Sequence, residues 1–172
     1  RNPAISLSFE PGSVFKIIVM AAALDAKAVS SEEICDSCGG PRTIADYIIK
    51  TWNEKYYPNS SLEDIIVHSD NVGMVFVGEK LGTRRFYEYL SKFGLGEKTG
   101  IDLQGEEVPK LRAKNDWREI DLATASFGQG IAVTPIQFLT ALSAIANGGK
   151  IFQPQVVGRI KEGDRLIIRS PK

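Results

Sequence analysis

The chain has 172 residues, of which 43% are hydrophobic, and its 21 basic and 21 acidic residues cancel to a formal net charge of zero. This length and composition allow one domain with a real core and exclude the composition of a disordered chain. The balanced charge gives no overall attraction to nucleic acid or to an anionic membrane surface, so neither is expected as a direct partner.

The first predicted element is a helix over residues 13–29. It follows Pro11-Gly12, which breaks the chain, and Ser13 is a favoured residue at a helix N-cap or first turn. Ser13 and Lys16 lie three residues apart and therefore share one face of that turn. A lysine can activate a neighbouring serine as a nucleophile when desolvation lowers the lysine pKa. The alternative is a Ser13 that only caps the helix beside a solvated Lys16.

Two cysteines follow this helix, at Cys35 and Cys38. Two thiolates complete only half of a zinc site, and the single histidine, His68, lies far along the chain. We therefore expect neither a metal ion nor another cofactor. A local disulfide and a pair of free thiols in a loop are the two alternatives for the cysteines.

The middle of the chain alternates extended and helical signals. Residues 43–52 mix β-branched and aromatic residues and predict a short extended segment, followed by a polar loop over residues 53–60. A short helix is then predicted from a cap at Ser60 or Ser61, with Glu63 or Asp64 in its first turn. The residues expected to face inward are Leu62, Ile65 and Ile66.

A second polar motif, Ser69-Asp70-Asn71, falls between this short helix and a further apolar helical segment over residues 72–80. At such a junction polar side chains can point into a cleft. Ser69 offers a hydroxyl that can relay a proton, and Asn71 offers a carboxamide that can bind a substrate amide. An ordinary polar helix junction is the alternative, because serine, aspartate and asparagine are common there.

The remaining chain predicts further helices over residues 83–92, 117–126 and 134–147, with a glycine-rich turn over residues 127–130. Near the C-terminus, residues 151–161 and 165–169 flank Glu162-Gly163-Asp164, which predicts a β-hairpin. Lys98-Thr99-Gly100 follows a helix and has no alternating apolar residues around it. We therefore predict a structural turn at residues 98–100.

The order of these motifs resembles the transpeptidase domain of class B penicillin-binding proteins, which are serine penicillin-recognising enzymes. Ser13 to Lys16 matches the Ser-x-x-Lys motif of that family, and Ser69 to Asn71 matches its Ser-x-Asn motif. The similarity covers nearly the whole chain. Further matching stretches are Phe9-Glu10-Pro11-Gly12, Thr51-Trp52-Asn53, His68 to Met74, Thr99 to Leu103, Ala125 to Gly130, and Thr134 to Gln137.

The resemblance implies an α/β fold of the β-lactamase and transpeptidase type, in which a five-stranded antiparallel sheet packs between helical layers. This chain is then expected to be one partial domain, residues 1–172, truncated at both ends. It would be mostly helical with a C-terminal hairpin and without most of the sheet. The family's third motif, Lys-Thr-Gly on a cleft-lining strand, is expected beyond Lys172. Uncovered apolar surface predicts self-association if the chain is made alone.

The resemblance also implies a role for each motif residue. Ser13 would attack a D-Ala-D-Ala stem peptide and form an acyl-enzyme, with Lys16 as the proton acceptor. Ser69 would relay the proton to the departing D-alanine, and Asn71 would hold the amide of the acyl donor. Backbone N–H groups, including that of Ser13, would stabilise the oxyanion. An amine from a neighbouring stem peptide would accept the acyl group.

Partners and location follow from the same resemblance. β-Lactam antibiotics would acylate Ser13, and a glycosyltransferase of the cell-wall machinery is an expected partner. The expected location is the outer face of the bacterial cytoplasmic membrane. No apolar run is long enough to span a membrane and no cleavable signal is visible, so an anchor is expected upstream.

Other functions remain as alternatives. A D,D-carboxypeptidase would use water as the acceptor, and the sequence separates it poorly from a transpeptidase. A β-lactamase-like hydrolase needs a deacylating glutamate in a Glu-x-x-Leu-Asn loop, which Glu106 to Leu111 does not provide. A non-catalytic fragment or binding module is the alternative from a different class.

Overall fold

The computed structural model describes residues 2–168, which contain six α-helices, three short 3₁₀ helices and six short strands. The helices are α1 (Pro3–Ser6), α2 (Lys16–Asp25), α3 (Leu62–Val67), α4 (Asn71–Lys92), α5 (Glu119–Ala125) and α6 (Pro135–Ala146). The strands are β1 (Ile34–Cys35), β2 (Arg42–Ile44), β3 (Tyr47–Ile49), β4 (Ser60–Ser61), β5 (Arg159–Glu162) and β6 (Arg165–Ile168). All strand pairs are antiparallel and two-stranded, in the order β1–β4, β2–β3 and β5–β6. More of these residues lie in helices than in strands, which agrees with the expected partial α/β fold.

The chain divides into two compact units, each made of separate segments. The larger unit comprises Glu10–Tyr89 and Leu111–Ala132. The smaller unit comprises the described parts of Arg1–Phe9, Leu90–Lys110 and Val133–Lys172. Two such units can belong to one domain, so the single-domain boundary over residues 1–172 stays a prediction. Across residues 2–168, no helix has both the length and the apolar character that crossing a bilayer requires.

The helix predicted over residues 13–29 is shorter and begins differently. Residues Gly12–Phe15 form a 3₁₀ turn, and α2 starts only at Lys16, with Phe15 rather than Ser13 at its N-cap position. The helix ends at Asp25 because Lys27 adopts a left-handed conformation with φ +51°. The amide of Ala28 then donates to the carbonyl of residue 23 at 2.9 Å, which closes a Schellman motif.

The segment between α2 and α3 is more folded than the sequence predicts. Cys35 and Cys38 form a disulfide, and both residues are fully buried. The single extended segment predicted over residues 43–52 is wrong, since β2 and β3 form a hairpin there. Ala45 adopts φ +50° between the two strands and reverses the chain. No glycine or proline marks this reversal in the sequence.

The remaining predicted helices are largely confirmed. Ser61 caps α3 in a capping box with Asp64, and Thr134 caps α6 in the same way with Gln137. Gly82 interrupts α4 with φ +76°, so its two halves match the helical segments predicted over residues 72–80 and 83–92. Two details are wrong. Ile66 is only half-buried, and α5 begins at Glu119 because the two residues before it are extended.

Glycines allow close packing around α4 in the larger unit. A Cβ at Gly73 would lie 2.5 Å from the Ile65 side chain on α3, and one at Gly78 would lie 1.9 Å from Ser126 Oγ beyond α5. Real Cβ contacts are longer, so only glycine permits these approaches. The Gly73 contact packs α3, which precedes the Ser69-Asp70-Asn71 motif, against α4, which follows the motif.

In the smaller unit, Lys98-Thr99-Gly100, where a structural turn is predicted, forms an irregular loop segment shortly after the turn at residues 93–96. The Glu106 carboxylate accepts hydrogen bonds from Thr99 N at 2.7 Å, Thr99 Oγ1 at 2.6 Å and Gly100 N at 3.2 Å. These residues lie outside any strand of residues 2–168, as predicted. At the C-terminal end, β5 and β6 form the predicted hairpin, although β5 begins at Arg159 and not at residue 151. Residue 169, the predicted end of this hairpin, lies outside the described residues.

Large apolar side chains remain exposed in both units, as expected for incomplete burial. Examples with more than half of their surface exposed are Leu7, Ile48, Trp52, Val67, Leu139, Val156 and Ile168. Self-association of the isolated chain stays a prediction.

The contact between Gly12 and Gly128 gives a first test. Gly128 has φ +79°, and an added Cβ would lie 2.1 Å from the Gly12 carbonyl oxygen. Gly105 has a similar φ of +82° but open space around it. We expect Gly128→Ala to lower the free energy of unfolding by about 2 kcal/mol more than Gly105→Ala, because only the former adds a steric clash. Urea denaturation measures both, and equal losses would contradict the packing described.

Candidate active site

Ser13 lies on the short 3₁₀ turn before α2 and its side chain is exposed. The turn is held in place by Gly12 N, which donates to the Gly128 carbonyl oxygen at 2.9 Å. Lys16, the next residue after the turn, donates its backbone N–H to the Ser13 carbonyl oxygen. The turn therefore presents the Ser13 hydroxyl to solvent while the Lys16 side chain enters the protein.

The Lys16 amine is the centre of the site. Lys16 is buried, with only 2% of its surface exposed. Lys16 Nζ donates to Ser69 O at 2.6 Å, to Ser69 Oγ at 3.0 Å and to Asn71 Oδ1 at 2.8 Å. Three of the four predicted site residues are thus directly hydrogen-bonded. Ser13 Oγ makes no hydrogen bond to Lys16 Nζ among the described residues, and the two residues are linked through the backbone of the turn.

The end of α3 explains why Ser69 faces Lys16. The amide of Ser69 donates to Ile66 O at 3.1 Å, and the amide of Asp70 donates to Ile65 O at 2.9 Å. These two bonds define a Schellman motif in which Ser69 takes the left-handed position usually held by glycine, with φ +51°. This conformation costs free energy for a residue with a side chain. It directs both oxygens of Ser69 to one amine.

Asn71 is fixed at both ends of its carboxamide. Its Oδ1 accepts from Lys16, and its Nδ2 donates to the backbone carbonyl of Lys50 at 3.0 Å. The two partners define which amide atom faces the lysine. Lys50 follows β3, so the β2–β3 hairpin positions the asparagine from outside the helical layer.

Asp70, between the two polar residues of the motif, is only 1% exposed. Its Oδ1 accepts a hydrogen bond from Val72 N at 2.8 Å and so caps α4. Its Oδ2 is buried and has no hydrogen-bond partner within the described chain. From the sequence, no role was predicted for this residue beyond being part of a polar junction.

Burial changes the acid–base behaviour of Lys16. Desolvation lowers the pKa of Lys16 from 10.5 to about 8, while the negative charge of Asp70 acts in the opposite direction. An amine with a pKa near 8 is neutral in about a tenth of molecules at neutral pH, whereas an exposed lysine is almost never neutral there. Lys16 can therefore accept a proton from a nearby hydroxyl, which a solvated lysine could not do efficiently.

The other polar residues considered as candidates, His68, Cys35 and Cys38, make contacts away from this cluster. The His68 ring stacks on Tyr57 with ring centroids 3.9 Å apart. The two cysteines are joined to each other, so neither offers a free thiolate. Among the described residues, no group of three or more His, Cys, Asp or Glu side chains could hold a metal ion.

Three contributors to the site were not predicted from the sequence. Gly128 supports the Ser13 turn, and its only signal was the glycine-rich segment over residues 127–130. The Lys50 contact uses a backbone carbonyl, which no side-chain pattern reveals. Asp70 was visible as part of the motif, but its burial depends on tertiary packing.

Comparisons with known proteins agree with the motif pattern. The family model described as "Penicillin binding protein transpeptidase domain" matches residues 1–172. Stage V sporulation protein D of Bacillus subtilis is 36% identical over 156 residues, which is 91% of this chain and 24% of that protein. A peptidoglycan D,D-transpeptidase FtsI homolog of Mesostigma viride is 36% identical over 168 residues, covering 90% of this chain and 27% of its own length. The chain thus spans about a quarter of these curated relatives.

Solved structures show the same fold. Penicillin binding protein 3 from Mycobacterium tuberculosis, complexed with ampicillin, matches with a TM-score of 0.89 and 29% sequence identity. The match covers 98% of this chain and 37% of that one. A peptidoglycan synthetase from Bifidobacterium adolescentis matches with a TM-score of 0.88 and 29% identity, covering 99% of this chain and 31% of its own.

The lowered pKa of Lys16 predicts a specific dependence of stability on pH. Lys16 has a folded-state pKa of about 8 and an ordinary value of 10.5, so the unfolded chain binds more protons between these two values. The free energy of unfolding, relative to that of Lys16→Met, should therefore rise by about 2 kcal/mol from about pH 7.5 to about pH 10. Methionine keeps an unbranched apolar side chain and removes the amine, so subtracting the variant cancels other titrating groups. Urea denaturation at several pH values measures this difference, and a difference that stays constant with pH would show that Lys16 has an ordinary pKa.

Proposed function

Because the chain belongs to the family of penicillin-binding protein transpeptidase domains, we propose that it carries the nucleophilic site of a peptidoglycan D,D-transpeptidase. One observation carries the proposal: Lys16 Nζ donates hydrogen bonds to both Ser69 and Asn71. Lys16 lies three residues after Ser13, whose side chain is exposed. Relatives named peptidoglycan D,D-transpeptidase, from Mesostigma viride and Neisseria gonorrhoeae, support the reaction class. Since the chain covers about a quarter of such relatives, the activity is proposed for the whole protein.

The first step is acylation of Ser13. Neutral Lys16 takes the proton from Ser13 Oγ, and the oxygen bonds to the carbonyl carbon of the penultimate D-alanine of a stem peptide. The carbonyl π electrons move to oxygen, and the oxyanion is stabilised by backbone N–H groups of the 3₁₀ turn, including that of Ser13. The amide bond to the terminal D-alanine then breaks. Its nitrogen receives a proton through Ser69 from the Lys16 ammonium, which leaves an ester on Ser13.

The surroundings of Lys16 favour the proton transfer. A neutral amine has two N–H groups and a lone pair, whereas an ammonium has three N–H groups. The three acceptor oxygens from Ser69 and Asn71 match the ammonium form. Hydrogen bonds to a charged donor are stronger than those to a neutral one, so the site stabilises the product of proton transfer. We assign the second N–H of Asn71 Nδ2 to a hydrogen bond with the amide of the acyl donor.

The second step is attack of an amine on the ester. The amine nitrogen of a neighbouring stem peptide bonds to the ester carbon, the bond from that carbon to Ser13 Oγ breaks, and Lys16 and Ser69 carry the proton lost by the amine to the Ser13 oxygen. A β-lactam acylates Ser13 by the same route, which the ampicillin complex of the Mycobacterium tuberculosis relative supports. For the whole protein we assign a place at the outer face of the bacterial cytoplasmic membrane, beside a glycosyltransferase that supplies glycan strands.

Labelled penicillin tests the nucleophile. In the whole protein, fluorescent penicillin should form a covalent adduct that peptide mapping assigns to Ser13, and Ser13→Ala should abolish it. Lys16→Met should slow adduct formation by roughly 10² to 10⁴-fold, since it removes the base. Ser8→Ala changes an exposed serine outside the site and is the matched control that should label normally. Labelling of Ser13→Ala, or no labelling of the unaltered protein, contradicts the proposal.

The acceptor distinguishes a transpeptidase from a carboxypeptidase. With a D-Ala-D-Ala donor peptide and increasing D-amino acid as the acceptor, the aminolysis product should grow at the expense of the hydrolysis product. The two compete for one acyl-enzyme, so their ratio should rise linearly with acceptor concentration. Mass spectrometry measures both products. Hydrolysis alone, at every acceptor concentration, would identify a carboxypeptidase instead.

A further inference from the structure

The Asp70 side chain is the one part of the Ser69-Asp70-Asn71 motif that the reaction described above does not use. The residue is 1% exposed, Oδ1 caps α4, and Oδ2 is buried without a hydrogen-bond partner among the described residues. A buried carboxylate with an unpaired oxygen is costly unless a nearby positive charge compensates for it. The buried Asp70 carboxylate therefore requires a positive charge nearby.

Lys16 is that charge. Lys16 Nζ binds Ser69 O at 2.6 Å, and the carbonyl carbon of Ser69 is bonded to the backbone nitrogen of Asp70. Standard bond lengths then keep the Asp70 Cα within about 7 Å of the amine. The two side chains form no direct ion pair within the described chain. Their interaction crosses one peptide group, and both residues are buried, so screening by solvent between them is weak.

Other charged side chains on the surrounding elements are exposed or engaged elsewhere. Asp64 lies in the capping box of α3 and Lys50 pairs with Glu54. Asp25 accepts a hydrogen bond from Tyr89 at the far end of α2. The other groups on α2, α3 and their flanks are the exposed Glu10, Lys27 and Glu63, and His68, which stacks on Tyr57. On α4, Glu79 pairs with Arg42, Lys80 with Glu33, and Arg84 with Glu88. The Coulomb influence on Lys16 accordingly comes from Asp70.

We propose that Asp70 is a positioning residue whose buried carboxylate stabilises the ammonium form of Lys16, acting across the peptide bond between Ser69 and Asp70. The inference rests on the proposed role of Lys16 as the base for Ser13. Before proton transfer the neutral amine leaves Asp70 as an uncompensated buried charge. After transfer the ammonium compensates it. The stabilisation is therefore larger in the transition state than in the ground state, which is the condition for faster acylation.

Asp70→Asn tests the charge while keeping the cap, because the asparagine Oδ1 can still accept from Val72 N. In the whole protein, the penicillin acylation rate of the variant should level off at a lower pH than in the unaltered protein. Its plateau rate should also fall by about fivefold, because Lys16 becomes a weaker base. A residue with only a structural role would change the amount of folded protein but not the pH at which the rate levels off.

Asp64→Asn is the matched control, since it removes an exposed aspartate from the neighbouring helix cap. It should leave the pH profile of acylation unchanged. Should Asp70→Asn not fold, Asp70→Ser removes the same charge and keeps a side chain that can cap a helix. It should shift the profile in the same direction.

A direct titration separates this inference from the proposed function. NMR of protein labelled at lysine Cε, with the Lys16 signal assigned by its loss in Lys16→Met, should show a lower Lys16 pKa in Asp70→Asn than in the unaltered protein. This shift supports the inference even where penicillin labels nothing, an outcome that would overturn only the proposed function. A folded Asp70→Asn variant with an unchanged Lys16 titration and an unchanged acylation profile would overturn the inference.

Discussion

The larger unit depends on one constraint: the buried Lys16 amine needs hydrogen-bond acceptors. Lys16 enters the interior from the start of α2 and finds three oxygens on the junction between α3 and α4. Leaving the amine unpaired there would cost several kcal/mol, so the three helices must keep this arrangement. The same burial that demands the hydrogen bonds also lowers the pKa of the amine to about 8. The hydrogen bonds that burial requires and the lowered pKa therefore have the same physical origin.

The arrangement requires unfavourable backbone conformations close to the site. Ser69 adopts a left-handed conformation at the end of α3. Gly12, in the Ser13 turn, and Gly128 both have positive φ and lie in close contact. Each conformation aims a functional group: two oxygens of Ser69 at Lys16, and the Ser13 hydroxyl toward solvent. Such strain persists only where packing compensates for it. The close contacts of Gly73 with α3 and of Gly78 with Ser126 supply that rigid packing around α4.

Local chemistry made much of this predictable from the sequence. The caps at Ser61 and Thr134, the interruption of α4 before residue 83 and the absence of a strand at residues 98–100 each follow from residues that are close in the chain. The two polar motifs were recognisable because their residue types suit acyl transfer. Where the prediction failed, local signals were absent or weaker than tertiary contacts. Ala45 carries no turn signature, and the Gly12–Gly128 contact joins residues more than a hundred positions apart.

The central claim is that Ser13 is the acylated nucleophile and that the Lys16, Ser69 and Asn71 cluster is its proton-transfer apparatus. A crystal structure of the whole protein after reaction with penicillin tests it most directly. We expect an ester on Ser13 Oγ, with Lys16 Nζ still within hydrogen-bond distance of Ser69 and Asn71. An acyl group on another residue, or a Lys16 side chain turned away from that pair, would contradict it.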